Sequence, residues 1–420
     1  MASKPRRNGY DKDGSAKRSS RPQSFSTRGI YTSLSIQGFR SFDHLELNDL
    51  ARINLFFGAN NSGKTTILEA IFTHACGLNF TPFEGQVVGK RTDHLIRGPL
   101  DLGEKLISIF KDTSSPPYKF SIAARTTDND SPNVLVTEFH PSSVLADLDP
   151  KKFGQFSGVV PSDSQMDSQN TLSQIQIVGQ QLRVQGATVR TIFIGRWETS
   201  LNGKKSPVDV RFPLTESTTV SPFKLANMHD ILSHRQPEAD TRVFSALKRY
   251  RMLGEFIREM QVAFPEIVDI DMIPYPDGTL GSVYLLTSDD HRMPLYAAGD
   301  GTRRWFHLLG HMLVNKNACH CIEEIDSTFH PRAQEGLSQF LVKYAKQFDN
   351  QLFITSHSIE FTDTFLELLY GEQGFLKDES EDPVRLYTIK RPSMRDVPEV
   401  WVLTGRDAYE KRKDYALELR

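Results

Sequence analysis

The apolar run Ile53-Asn54-Leu55-Phe56-Phe57 leads into Gly58-Ala59-Asn60-Asn61-Ser62-Gly63-Lys64-Thr65, and a helical pattern carried by Ile67, Leu68, Ala70 and Ile71 follows. No other stretch limits the possible folds as tightly. Strand, glycine loop and helix in that order are the context of a phosphate-binding loop and predict an α/β fold. The two glycines let the backbone turn so that successive N–H groups face phosphate oxygens, and the helix N-terminus adds partial positive charge. Lys64 supplies a cation for the β- and γ-phosphates, and the Thr65 hydroxyl is placed to ligate Mg²⁺. Gly58, Asn60, Asn61, Ser62, Gly63, Lys64, Thr65 and Thr66 are therefore the expected ATP contacts, with Thr66 near the α-phosphate.

Composition excludes more than it assigns. With 50 Lys+Arg against 52 Asp+Glu, the net charge of -2 exerts no global pull toward nucleic acid or anionic membrane. Three cysteines (Cys76, Cys319, Cys321) are too few for a disulfide scaffold and fit a reducing cytoplasm. No run of about 18 apolar residues offers a membrane span. The first 29 residues read as a basic tail that cannot pack, with eight Lys or Arg against Asp11 and Asp13. A solvated extension is the stronger reading of that tail, with DNA contact the weaker one.

Order begins near Ile30. Residues 30–110 read as the N-terminal part of an α/β core around the phosphate loop, 111–241 as an inserted β-rich and helical subdomain, and 242–420 as the C-terminal part of that core. Strands are expected at Leu106–Phe110, Tyr118–Ile122, Ile175–Val178 and Val189–Ile194. The polar stretch Pro161–Gln174 reads as a loop suited to partner recognition. Helical spacing is expected between about Pro222 and Phe264, followed by short strands at Val268–Ile273 and Gly281–Leu286.

The C-terminal third supplies the complementary chemistry. Ala318–Ile322 is a buried-strand pattern ending in Glu323-Glu324. At such a strand end one carboxylate holds Mg²⁺, commonly through water, and the next orients the attacking water. Glu323 is assigned the metal side with Thr65, and Glu324 the water. The apolar strand Leu352–Ile354 runs into Thr355-Ser356-His357-Ser358, where His357 can hydrogen-bond the γ-phosphate. The expected catalytic set is Lys64, Glu324 and His357. Cys319-His320-Cys321 invites a zinc reading, but on a strand the cysteines share one face and His320 takes the other. Apolar packing is the better reading of the two cysteines.

Taken together these residues resemble the SMC/RecF-type ABC ATPase heads. Ile36-Gln37-Gly38-Phe39-Arg40-Ser41-Phe42 looks like their opening segment. Gly299-Asp300-Gly301-Thr302-Arg303-Arg304 resembles their signature motif, with Gly299 where a serine is common. Ile322–Pro331 and Thr355–Ser358 are similar to the second acidic motif and switch histidine of the OLD (overcoming lysogenization defect) branch. The resemblance implies an ABC-type P-loop head, nucleotide contacts from Arg40 and from Gly299, Asp300, Gly301 and Thr302, and ATP-dependent pairing of two chains or a higher oligomer. Gln86 is the nearest candidate for a Q-loop glutamine. Only about 60 residues follow His357, shorter than an ordinary domain of roughly 100 to 150 residues, so no TOPRIM nuclease domain is expected. Stand-alone members of this kind resemble the ATPase subunits of antiphage systems such as Septu and PARIS, which act with a separate effector such as a TOPRIM or HNH nuclease or a toxin. A RecF-like DNA-repair ATPase is the alternative. The absence of a long heptad array excludes a chromosome-structuring SMC protein.

Overall fold

A computed structural model describes residues 29–77, 87, 108–115, 118–142, 172–184, 187–199, 205–212, 225–235, 237–275, 281–327, 329, 331–376, 381–391 and 397–415. The polar tail, Gln86 and residues 161–171 of the expected loop lie outside that set.

Strand β3 (Ile53–Phe57) is buried at every position and lies in the middle of a six-stranded sheet. Its neighbours are β14 (Gln351–Thr355) and β15 (Val384–Lys390), both parallel to it. β13 (Ala318–Ile322) pairs in parallel with β14, and β9 (Leu225–His229) in parallel with β13. β16 (Glu399–Thr404) closes the other edge antiparallel to β15. The order β16-β15-β3-β14-β13-β9 aligns the C-terminal ends of β3, β13 and β14 on one rim. Ligands of open α/β sheets bind at that rim.

A seven-stranded antiparallel sheet runs in the order β2-β1-β4-β5-β6-β7-β8. Its strands are β1 (Tyr31–Phe39), β2 (Phe42–Leu47), β4 (Tyr118–Thr126), β5 (Asn129–Ser142), β6 (Leu172–Val184), β7 (Ala187–Thr199) and β8 (Lys205–Phe212). Segment 111–241 thus contributes β4–β8 to this sheet and β9 to the six-stranded one. A small third sheet holds β10 (Ile267–Ile273), β11 (Ser282–Thr287) and β12 (Arg292–Pro294).

Helix α1 (Lys64–Cys76) lies between the two large sheets, which explains a feature its sequence does not announce. Lys64 and every residue from Thr66 to Ala75 are buried, not one face alone. Ile67, Leu68, Ala70 and Ile71 share a cluster with Ile36 and Ile122 of one sheet and with Phe56, Phe353, Cys319 and Cys321 of the other. Each fully buried aliphatic or aromatic side chain there contributes roughly 1.5–3 kcal/mol. The opposite face of the six-stranded sheet carries Ile53, Leu55, Ile322, Leu352 and Ile354. It is covered from the chain of helices α2 (Pro237–Arg249), α3 (Leu253–Ala263), α4 (Asp300–Val314), α5 (Pro331–Gln347), α6 (Ile359–Tyr370) and α7 (Gly405–Tyr415). Cys319 and Cys321 pack against α1, while His320 points the other way, with its Nδ1 3.1 Å from Nε2 of His229.

Three local expectations differ from the structure. Ser108–Phe110 is a turn ending in a single bridge from Phe110 to Phe39, because Arg40 N–H donates to Ile109 O and Lys111 N–H to Gly38 O. Leu172–Gln174 belongs to β6, not to a loop. Leu225–His229 is a strand although its surroundings carry helical spacing, because β13 offers it a parallel partner from Ala318↔Leu225 to Ile322↔His229. The remaining helix is broken at Arg251, whose φ of 59° is incompatible with continuation.

Candidate functional site

The phosphate loop turns through positive φ at Gly58 (145°), Asn61 (64°) and Gly63 (104°). Glycine is required twice by space as well as by conformation. A Cβ at Gly58 would lie 2.4 Å from Ile389 O, and one at Gly63 would lie 2.3 Å from Cζ of Phe42. Phe42, at the start of β2, thus forms a lid under the loop. Gly63→Ala is expected to lower stability by roughly 1–3 kcal/mol through the strained φ alone, read as a lower denaturation midpoint at unchanged m. An unaltered midpoint would mean that the loop tolerates a side chain there.

Lys64 opens α1 and folds its ammonium back over the loop, donating to Gly58 O at 2.8 Å and Ala59 O at 2.9 Å. Burial pushes its pKa down, opposed by the negative charges of Glu324 and Glu323. Those two carboxylates come from β13, more than 250 residues away in the chain, so the sheet brings together what the sequence separates. The Thr65 hydroxyl donates directly to Oε1 of Glu323. Ser62 Oγ is buried in the loop and has no hydrogen-bond partner among the described residues. A glycine cradle, an orphaned hydroxyl and a buried ammonium fit a polyphosphate, and the Thr65 and Glu323 oxygens are the hard donors Mg²⁺ takes. Asn60 and Asn61 are exposed at the loop tip, and Thr66 is buried in the first turn of α1.

Glu324 sits in the left-handed region at φ 45°, a conformation that costs a non-glycine residue roughly 1–3 kcal/mol. Its N–H donates to Thr355 Oγ1 at 2.8 Å, and its carbonyl accepts from Ser327 N–H at 2.9 Å. His357 follows β14 and shares a shallow hollow with Phe57, Gly58, Ser356, Ser358, Ile359 and Thr362. Its backbone N–H donates to Asp326 Oδ1 at 3.2 Å. The segment carrying His357 therefore borders both the first glycine of the loop and the turn after the carboxylates.

Gly299 is the N-cap of α4, which begins at Asp300 and contains Gly301 and Thr302 in its first turn. Asp300 donates nothing but accepts from Arg235 at 2.6 Å and lies 3.3 Å from His234, both in the 3₁₀ turn Ser233–Arg235. The Arg235 hydrogen bond holds the Asp300 carboxyl below the usual range. One turn further, Arg304 crosses to the carboxylate strand, bonding Glu323 O and Ser327. Burial lowers its pKa to about 10, against the pull of Asp326 and the neighbouring carboxylates. The signature-like helix is thus tied to the backbone of the acidic motif. Nothing local in the sequence indicates that Arg304 has a partner 19 residues away.

Arg40 is held within the fold. Its guanidinium pairs with Glu69 of α1, Nε to Oε2 at 2.5 Å, and donates to Val87 O at 2.6 Å. Glu69 is 2% exposed, so the pair fastens the β1–β2 turn to α1. A buried carboxylate left alone would be costly, which explains the commitment.

Fold and site together define an ABC-type phosphate-loop ATPase. The family described as "AAA domain, putative AbiEii toxin, Type IV TA system" matches residues 53–363 of the 420, and the chain belongs to it. Short segments are similar to the DNA replication and repair protein RecF, 45% identical over 49 residues in Nitrosococcus oceani and 50% over 46 residues in Natranaerobius thermophilus. These matches cover 12% and 11% of this chain and only 14% and 12% of the two relatives. Among solved structures, an SMC head bound to the C-winged helix domain of ScpA is similar at a TM-score of 0.44 and 13% identity, over 90% of this chain and 99% of that one. The SMC head domain from Thermotoga maritima gives 0.37 and 11%, over 89% and 98%. Both are distant likenesses. Among the described residues no helix is long and apolar enough to cross a membrane.

Proposed function

We propose that the chain is a Mg²⁺-dependent ATP switch of the OLD-like branch, acting in the cytoplasm as the regulatory subunit of an antiphage system with a separate nuclease or toxin effector. The observation that carries the ATP chemistry is the direct contact of Thr65 with Glu323 beside the Lys64 ammonium. Thr65 and Glu323 would hold Mg²⁺, which when bound would supply positive charge against the negative charge developing on the phosphates. Glu324 polarises the attacking water, and His357 reports the γ-phosphate. The family's description as a toxin of a toxin–antitoxin system favours the defence role over housekeeping.

Gly299–Thr302 present helix N–H groups that close on the nucleotide of a second chain, so each site needs two copies. Mass measurement of Glu324→Gln is expected to show a dimer or a higher even assembly with ATP and Mg²⁺, and monomer without them. A strict monomer under saturating ATP would sink this arrangement. The local RecF matches favour a second reading, a DNA-repair ATPase. ATP turnover stimulated several-fold by duplex DNA in the absence of any partner protein would favour it, whereas co-purification with a nuclease or toxin subunit favours the first.

A further inference from the structure

We propose that Thr355 is a positioning residue for Glu324, setting the direction in which that carboxylate meets the attacking water; the proposal rests on the reading of Glu324 given above. Thr355 ends β14 and is 1% exposed. It receives two successive N–H groups from the acidic turn, Glu324 on its Oγ1 at 2.8 Å and Ile325 on its carbonyl at 3.0 Å. The parallel register Ile322↔Ile354 makes this possible, since it carries the chain after each strand out side by side. A left-handed glutamate persists only where its surroundings over-determine it. On the side of residue 323 the backbone is held by His229 O and Arg304. On the side of residue 324 it is the Thr355 hydroxyl that takes the N–H and so fixes where the Cα–Cβ bond points.

Two chemical facts make the hydroxyl, not the bulk, the operative group. A buried β-branched side chain is restricted at χ1, which limits the directions its hydroxyl can take. Valine keeps that shape and burial but accepts no hydrogen bond, leaving the Glu324 N–H without its partner. Glu324 then relaxes toward ordinary φ and swings its carboxylate away from the water. A misplacement of about 1 Å can cost on the order of 10²-fold in rate. Only Ser356 separates Thr355 from His357, so the hydrogen bond to Glu324 and His357 belong to one short segment.

Steady-state ATP hydrolysis by the full chain tests this. Thr355→Val is expected to lower kcat about 10- to 100-fold with KM for ATP within about twofold, because the phosphate loop is untouched. Thr355→Ser, which keeps the acceptor, is expected to recover kcat to within about threefold. In a Glu324→Gln background the Thr355→Val change is expected to have no further effect, since Thr355 acts only through that carboxylate. Thr355→Ala replaces Thr355→Val if the latter does not fold. Wild-type kcat without the hydroxyl, equal loss in the valine and serine variants, or an undiminished effect in the Glu324→Gln background each overturns the proposal. Full turnover by Glu324→Gln alone would instead overturn the underlying role of Glu324, a separable result.

Discussion

Lys64→Ala is expected to abolish tight ATP binding. Lys64 is 7% exposed, and its ammonium is held by two carbonyls of its own loop and attracted by Glu324 and Glu323. Little reorganisation is needed to pass it to phosphate oxygens, because Gly58 and Ala59 carbonyls line the same cradle. Truncating one partner of a buried, hydrogen-bonded charge pair costs about 2–5 kcal/mol, which is roughly 30-fold or more in Kd. Calorimetric titration with ATP and Mg²⁺ measures it. A Kd within about threefold of wild type would show that the loop N–H groups and the helix terminus carry the phosphates without Lys64. Loss of hydrolysis follows from loss of binding.

Glu324→Gln separates the two steps. The amide keeps the volume and the backbone hydrogen bond to Thr355 but cannot take a proton from water. Binding is expected within a fewfold of wild type, while turnover falls by about 10²-fold or more. The removed charge is also one of the two that oppose the desolvation of Lys64, so ATP affinity is expected to change slightly, not vanish. Phosphate release under single-turnover conditions is the measurement. Equal rates in the variant and wild type would move the water-polarising role to another group.

How far the site could be read in advance depends on how local each part is. Gly58 to Thr66 is a contiguous device, and its strand, turn and helix are specified by residues within about 20 positions. The strand ends carrying Glu323-Glu324 and His357 are legible for a similar reason: five apolar residues stop abruptly at polar ones. Ala318–Ile322 and Gln351–Thr355 are strands, as that pattern predicts. Leu225–His229 is not legible in the same way, because its burial pattern is mixed and its strand state depends on an open edge of β13. Propensity is a weak prior where pairing with a distant partner decides.

The sequence by itself determined which residue types stand where: a glycine loop with Lys64 and Thr65 after one core strand, and two carboxylates after another. Only the tertiary structure decided their alignment. Thr65 meets Glu323 because β14 stands between β3 and β13, all three strands running parallel. Arg40 turns to Glu69, Phe42 lies under Gly63, and Arg304 and Thr355 clamp the acidic turn from two other elements. The polar contacts among these follow from desolvation. Once folding buries a charge or an N–H group, it must take the nearest polar partner, and which partner is nearest is set by sheet order and not by position along the chain.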